Sequence, residues 1–130
     1  MSEMDDLTER YRGYIDCLNR QDWQRLGDFV DEGVIYNGRQ IGLEGYRHML
    51  EGDFLAIPDL RFVIEFLVVE KPKVASRLTF DCTPIGLLFG LAVNGRRVKF
   101  SENVFYEIVN GRIVQVWSII DRAAIEAQIS

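Results

Sequence analysis

The spacing of apolar residues changes character midway along the chain. From Asp5 to Arg20, Leu7, Tyr11, Tyr14, Ile15 and Leu18 recur at intervals of three and four, which sets them on one side of an amphipathic helix. Asp22 follows as a candidate N-cap for a second, short helix carrying Trp23, Leu26, Phe29 and Val30, with Gly33 as its stop. A short strand is predicted over Val34–Tyr36, then a turn at Asn37-Gly38-Arg39. A third helix is predicted from about Leu43 to Leu55, with Leu43, Tyr46, Leu50 and Phe54 on its apolar stripe and Met49 beside it; Pro58 ends it.

Beyond that proline the period shortens to two. Residues 60–70, 73–82, 97–109 and 113–121 are rich in Val, Ile and Phe and read as strands. Asn94-Gly95 and Asn110-Gly111 lie between strand patterns, and Asn-Gly readily takes the positive φ angles of tight hairpin turns, so sequential antiparallel pairing is expected. Arg122 to Ile129 reads as a closing helix. Helices first and hairpin-linked strands afterwards predict an α+β fold. It is a single domain over residues 1–130, in which about three N-terminal helices cover the concave face of a curved, mostly antiparallel sheet, rolled as a cone-shaped barrel.

Composition narrows the function classes. A chain of 130 residues, 48% hydrophobic and 27% charged, suits one ordinary globular core. No apolar run is long enough to cross a bilayer, and the acidic start MSEMDDLTER is unlike a secretory signal, so a cytoplasmic address without membrane association is expected. A net charge of -5 argues against nucleic acid as a partner, the basic stretch Arg96, Arg97 and Lys99 reading as a solvated hairpin. Cys17 and Cys82 read as buried thiols, and one histidine without a carboxylate cluster argues against a metal site.

Two acids stand out. Counted at the two-residue strand period, Ile113, Gln115, Trp117, Ile119 and Asp121 share one face, and Val114, Val116, Ser118 and Ile120 the other. On the preceding strand Glu102 shares a face with Val98, Phe100, Val104 and Tyr106, where it is the sole acid. A carboxylate on an apolar wall is held towards its neutral form, which brings its pKa into the range useful for proton transfer. Asp121 equally suits the N-cap of the closing helix. Asn37 at the expected pocket mouth is a polar candidate, although Asn before Gly also suits a turn. Tyr14, Trp23, Trp117, Phe100 and Tyr106 are candidate aromatic lining. His48 falls opposite the buried stripe of its helix and is expected in solvent. The run Leu87-Leu88-Phe89-Gly90-Leu91 suits a pocket lid or an oligomer interface.

The segments GLEGYRHML (42–50), AIPDLRF (56–62), VASRL (74–78), FDCTPIG (80–86), NGRRVKF (94–100) and NGRIVQVWSIID (110–121), with the AIEAQI tail, form an ordered series. It resembles the SnoaL-like polyketide cyclases of the nuclear-transport-factor-2-like superfamily. That resemblance implies a cone with an apolar cavity, dimers or tetramers, and ring closure by intramolecular aldol condensation without metal or cofactor. It also implies an acid/base role for the acid after the W-x-x-x pattern, here Asp121. The chain departs from many relatives in carrying Pro84 after Thr83 in place of histidine, and Glu102 in place of a small residue.

These readings combine into a cofactor-independent lyase or isomerase acting on an apolar, carbonyl-bearing small molecule. Asp121 and Glu102 are its expected acids, Asn37, Trp117, Tyr14, Trp23, Phe100 and Tyr106 its expected binding residues, and a homodimer or higher homo-oligomer its expected state. A non-catalytic ligand-binding or oligomerisation module, or epoxide hydrolase-like water activation, are the alternative readings of the same pocket.

Overall fold

Helix α1 (Glu3–Asn19) buries the expected stripe: Leu7, Tyr11, Tyr14, Ile15 and Leu18 all leave solvent, together with the thiol of Cys17. The computed structural model describes residues 3–130. After Gln21, whose φ of 53° turns the chain, comes a 3₁₀ helix, Trp23–Asp28. The expected α-helix ends early because the sheet claims its continuation. Phe29 O accepts a hydrogen bond from Ile113 N at 2.7 Å, and strand β1 runs from Val30 to Tyr36 with Gly33 inside it rather than stopping a helix. Asp22 occupies the N-cap position, but its side chain makes no capping bond.

Strand β2 (Arg39–Gln40) folds back on β1, and helix α2 (Gly42–Ala56) follows with Tyr46 and Leu50 buried and His48 exposed. The remaining strands of the large sheet are β3 (Val63–Glu70), β4 (Lys73–Cys82), β7 (Val98–Val109) and β8 (Arg112–Ile120). Between β4 and β7 the chain leaves the sheet as a small separate hairpin, β5 (Leu87–Leu88) and β6 (Leu91–Ala92). Asn94-Gly95 does adopt positive φ, but it returns this excursion to β7 instead of joining neighbours in the main ladder.

The six strands lie in the order β2-β1-β8-β7-β4-β3, antiparallel except where β1 meets β8, and the sheet stays open with β2 and β3 as its edges. Its inner face carries Val74, Leu78, Phe80, Cys82, Val98, Phe100, Val104, Tyr106 and Val116, all buried in the core shared with α1 and α2. Helix α3 (Arg122–Ile129) closes one end, with Ile125 fully buried. Arg96 ties it to the hairpin by donating to Ile129 O (3.0 Å) and Ala92 O (3.2 Å), and Arg122 Nε donates to Phe89 O at 3.0 Å. Arg97 pairs with both Asp81 oxygens at 2.7 and 2.6 Å, so the basic stretch is largely spent on local contacts. Among the described residues, no helix is long and apolar enough to cross a membrane.

One irregularity reverses part of the sequence reading. Opposite the Glu107–Ile108 step of β7, strand β8 advances from Gln115 to Ile113, so Val114 is an extra residue, a β-bulge. A bulge shifts the alternation by one residue, and every side chain beyond it changes face. Ile113 points inward as expected, but past Val114 the inner face belongs to Val116, Ser118 and Ile120. Trp117 and Ile119 face outward instead, paired with Phe105 and Asn103. The strand period puts Val116 and Ile120 on the face opposite Trp117 and Asp121; the bulge corrects that face from the outer to the inner one. The apolar residues that remain exposed on the convex face include Phe66, Val68, Phe105 and Ile119.

Candidate active site

The inner face of the cone lines two adjoining chambers, of which the wider is partly open to solvent. The wider, ≈160 Å³, is walled by Ile57, Leu60, Phe62, Phe80, Phe100 and Ile120, with Leu88 and Phe89 of the hairpin at its mouth. The deeper one, ≈40 Å³, lies among Tyr14, Tyr46, Tyr106, Leu78, Val104 and Val116. Tyr36, Met49, Asp53, Phe62 and Glu102 line both, which places two carboxyl groups and a phenol at the neck between an aromatic vestibule and a tyrosine-lined floor.

Each of these groups is set there by local structure. Glu102 sits on the inward-pointing series of β7 between Phe100 and Val104, as the strand period predicts. Asp53 lies on α2 three residues after Leu50 and seven after Tyr46, on the buried stripe of the helix. Ser118 is brought inward by the bulge, and its hydroxyl donates to Glu102 Oε2. The backbone of Ser118 is itself gripped: Ser118 N donates to Asn37 Oδ1 at 2.8 Å, and Asn37 Nδ2 donates to Ser118 O at 3.3 Å.

Desolvation dominates the electrostatics of the neck. Burial pushes the Asp53 carboxyl up to about 7, with the nearby Glu102 charge adding to the rise. Burial raises Glu102 as well, and the Ser118 hydrogen bond works against the rise by favouring the ionised form. The two carboxyl groups are therefore both held towards their neutral forms, and the charge of Glu102 bears on the titration of Asp53. The phenols below are pushed upward by burial: Tyr11 to about 12, and Tyr14, Tyr46 and Tyr106 higher still. They stay neutral and pair as Tyr14–Tyr46 at 2.5 Å and Tyr11–Tyr106 at 3.2 Å.

Of the residues singled out in the sequence, Glu102, Phe100, Tyr14 and Tyr106 line the cavity. Asp121 does not lie beside Glu102. It is exposed past the outer-facing end of β8, where its side chain accepts from Ala124 N at 3.1 Å and caps α3. Trp117 is on the convex face for the same reason, the bulge. Trp23 packs edge-on to Phe54 at 5.9 Å and lines neither chamber, since the segment that carries it folds as a 3₁₀ turn instead of the expected α-helix. Asn37 is exposed at a φ of 48° and holds the Ser118 backbone instead of facing a ligand. Asp53, Tyr36, Tyr46 and Ser118 join the site although the sequence does not single them out for it.

The cap reading of Asp121 has a measurable consequence. Asp121→Ala is expected to cost about 1 kcal/mol of stability, whereas Asp121→Asn, which caps equally well, should cost a few tenths at most. Chemical denaturation of the two variants checks this, and equal losses would contradict it.

A pair of carboxyl groups in an aromatic cavity of an open α+β cone defines the class of protein, and comparison with known proteins gives the family. The model of the SnoaL-like polyketide cyclase family matches residues 8–129, and the chain belongs to that family. Its fold superimposes on the crystal structure of a SnoaL-like polyketide cyclase from Agrobacterium tumefaciens with a TM-score of 0.94 and 51% identity, over 95% of this chain and 98% of that one. Wild-type IdmH from Streptomyces antibioticus (TM-score 0.82, 19% identity, 95% and 97% of the chains) and AclR from Streptomyces galilaeus (0.80, 20%, 98% and 97%) share the fold. No curated protein sequence matches the chain.

Proposed function

We propose that this protein is a cofactor-independent lyase or isomerase of the cyclase type, in which Glu102 and Asp53 move protons on an apolar, carbonyl-bearing small molecule. The observation that carries the reading is the pair of carboxyl groups at the neck of an otherwise aromatic and aliphatic cavity. Glu102 in its ionised form, which the Ser118 hydroxyl favours against the effect of burial, takes a proton from the carbon next to the carbonyl. The C–H electron pair becomes the enolate double bond, and the carbonyl π electrons move to oxygen. Protonated Asp53 donates a hydrogen bond to that oxygen as its charge develops. From the enolate, return of the proton to a different carbon completes an isomerisation. Attack of the enolate carbon on a second carbonyl, whose oxygen takes the proton, closes a ring. Ketosteroid isomerases divide the work between an ionised and a neutral acid in the same way, and such a division requires pKa values pushed apart by environment.

The test needs no native substrate. In D2O, wild-type protein is expected to accelerate hydrogen–deuterium exchange at the saturated carbon next to the carbonyl (C6) of 2-cyclohexen-1-one, followed by proton NMR. Exchange no faster than with an equal concentration of free acetate would remove the reading.

The reading includes self-association. Phe66, Val68, Phe105 and Ile119 form an exposed apolar area on the convex sheet face, and such a surface suits a second copy across a two-fold axis. Sedimentation equilibrium at micromolar concentration should return the mass of a dimer, and Ile119→Lys should shift it to monomer. A monomeric wild-type protein would contradict this.

A further inference from the structure

We propose that Asn37, which lies outside the cavity, is a positioning residue for the base: its carboxamide holds the end of β8 so that the Ser118 hydroxyl stays aimed at Glu102. The inference rests on the acid/base reading above and adds to it a residue that touches neither substrate nor the reacting atoms.

The need for such a hold follows from the sheet. Strand β1 runs beside β8 only as far as the pair Tyr36–Val116, and Asn37 N then donates to Val116 O at 2.8 Å. There the chain turns away at the left-handed φ of Asn37, 48°, a conformation that asparagine tolerates better than most residues. Past that point β8 has a neighbouring strand on its β7 side alone. The Asn37 side chain takes the place of the next strand residue: Oδ1 accepts from Ser118 N at 2.8 Å, and Nδ2 donates to Ser118 O at 3.3 Å. One planar carboxamide thus satisfies both backbone groups of one residue, as a ladder partner would.

Ser118 is the residue at which this hold matters. It pairs with Val104, while Glu102 pairs with Ile120, so Ser118 and Glu102 are diagonal neighbours on the inner face, and a side chain as short as serine spans that diagonal only from a fixed backbone. The hydroxyl carries one proton and gives it to Glu102 Oε2. Tyr36, the residue before Asn37, approaches the same hydroxyl from β1: burial raises its phenol, and Ser118 opposes the rise. The other titratable groups that sense the Glu102 charge are Asp53 and Tyr46 on α2, Tyr11 and Tyr14 on α1, and Tyr106 on β7. Among all these neighbours it is the Ser118 hydroxyl whose hydrogen bond favours the carboxylate form of Glu102. A loosened Ser118 would leave burial unopposed and the base more often protonated.

Carboxyl carbon NMR titration of Glu102, together with the pH profile of exchange at C6 of 2-cyclohexen-1-one, tests the claim in full-length Asn37→Gly, Ser118→Ala and the double variant. Glycine keeps the left-handed turn while removing the carboxamide. Both single substitutions are expected to move the Glu102 titration to higher pH, Ser118→Ala the further of the two. On the acid limb of the profile the rate follows the ionised fraction of Glu102. There Ser118→Ala should slow exchange about tenfold and Asn37→Gly roughly threefold, the first losing a charge-assisted hydrogen bond and the second only loosening it. Because Asn37 acts through the hydroxyl, adding Asn37→Gly to Ser118→Ala should move Glu102 no further. An unmoved Glu102 in Asn37→Gly would overturn the proposal, as would a shift of the same size with and without the Ser118 hydroxyl. The titration reads the position of the base without turnover, so the two readings fail separately. Glu102 moving as expected in a protein that does not accelerate exchange sinks only the chemistry, and exchange with a Glu102 indifferent to Asn37 sinks only the positioning role.

Discussion

Replacing Asp53 with asparagine is expected to make the protein more stable at pH 8 and no more stable at pH 4. The folded state holds the Asp53 proton until about pH 7, whereas an unfolded chain releases it near the ordinary value of 3.8. Below that lower value both states are protonated and the group contributes no pH dependence. Between the two values the folded state binds more protons than the unfolded one, so stability falls as pH rises, by about 1.4 kcal/mol per unit. The loss is complete above pH 7 and amounts to roughly 4 kcal/mol, a large part of the stability of a domain of this size. The asparagine side chain does not titrate and escapes it. Thermal melts across pH 4–8 should therefore diverge, with the variant ahead by on the order of 10 °C at the alkaline end. Parallel curves for wild type and Asp53→Asn would mean that Asp53 is solvated. An acid that costs the fold this much is the pattern expected of a group retained for function.

Glu102→Gln is expected to abolish catalysis while moving a second group. Loss of the base should reduce α-carbon exchange by about 10²–10⁴-fold, the usual contribution of a positioned general base. The same substitution removes the negative charge that adds to the Asp53 rise, so Asp53 should titrate lower than in wild type yet still above an ordinary aspartate, since burial is the larger cause. The shift at Asp53 reports the charge coupling of the two groups, and the lost exchange with the fold intact reports the base. Retained exchange would remove Glu102 from the chemistry, and an unmoved Asp53 would remove the coupling between the two acids.

Most of the architecture and half of the site are legible in the sequence, and the losses have identifiable causes. Strands β4 and β7 and helix α2 can be read because their buried faces keep a regular period of two or 3.6 residues, which puts Glu102 and Phe100 inside without further information. The far half of β8 reads wrongly because a single bulged residue, Val114, inverts the faces. Hydrophobicity does not reveal it: Trp117 and Ile119 are as apolar as Val116 and Ile120. A regular period thereby aims Asp121 inward and Ser118 outward. Asp53 escapes notice for a different reason. Its place on the α2 stripe follows from the spacing to Tyr46 and Leu50, but a stripe judged only by its apolar members passes over a carboxylate, which is the more informative residue. Asn37 shows the limit of a positional argument. Its location just beyond the end of β1 is as expected, while its left-handed turn conformation commits the side chain to the backbone of Ser118.

The central claim is that Asp53 and Glu102 titrate as a coupled pair inside the cone, and carboxyl carbon NMR titration of the wild-type protein tests it most directly. The account predicts that the Asp53 carboxyl titrates near pH 7, that Glu102 titrates above the ordinary glutamate range, and that each resonance senses the ionisation of the other. Two independent titrations at ordinary carboxylate values would contradict it.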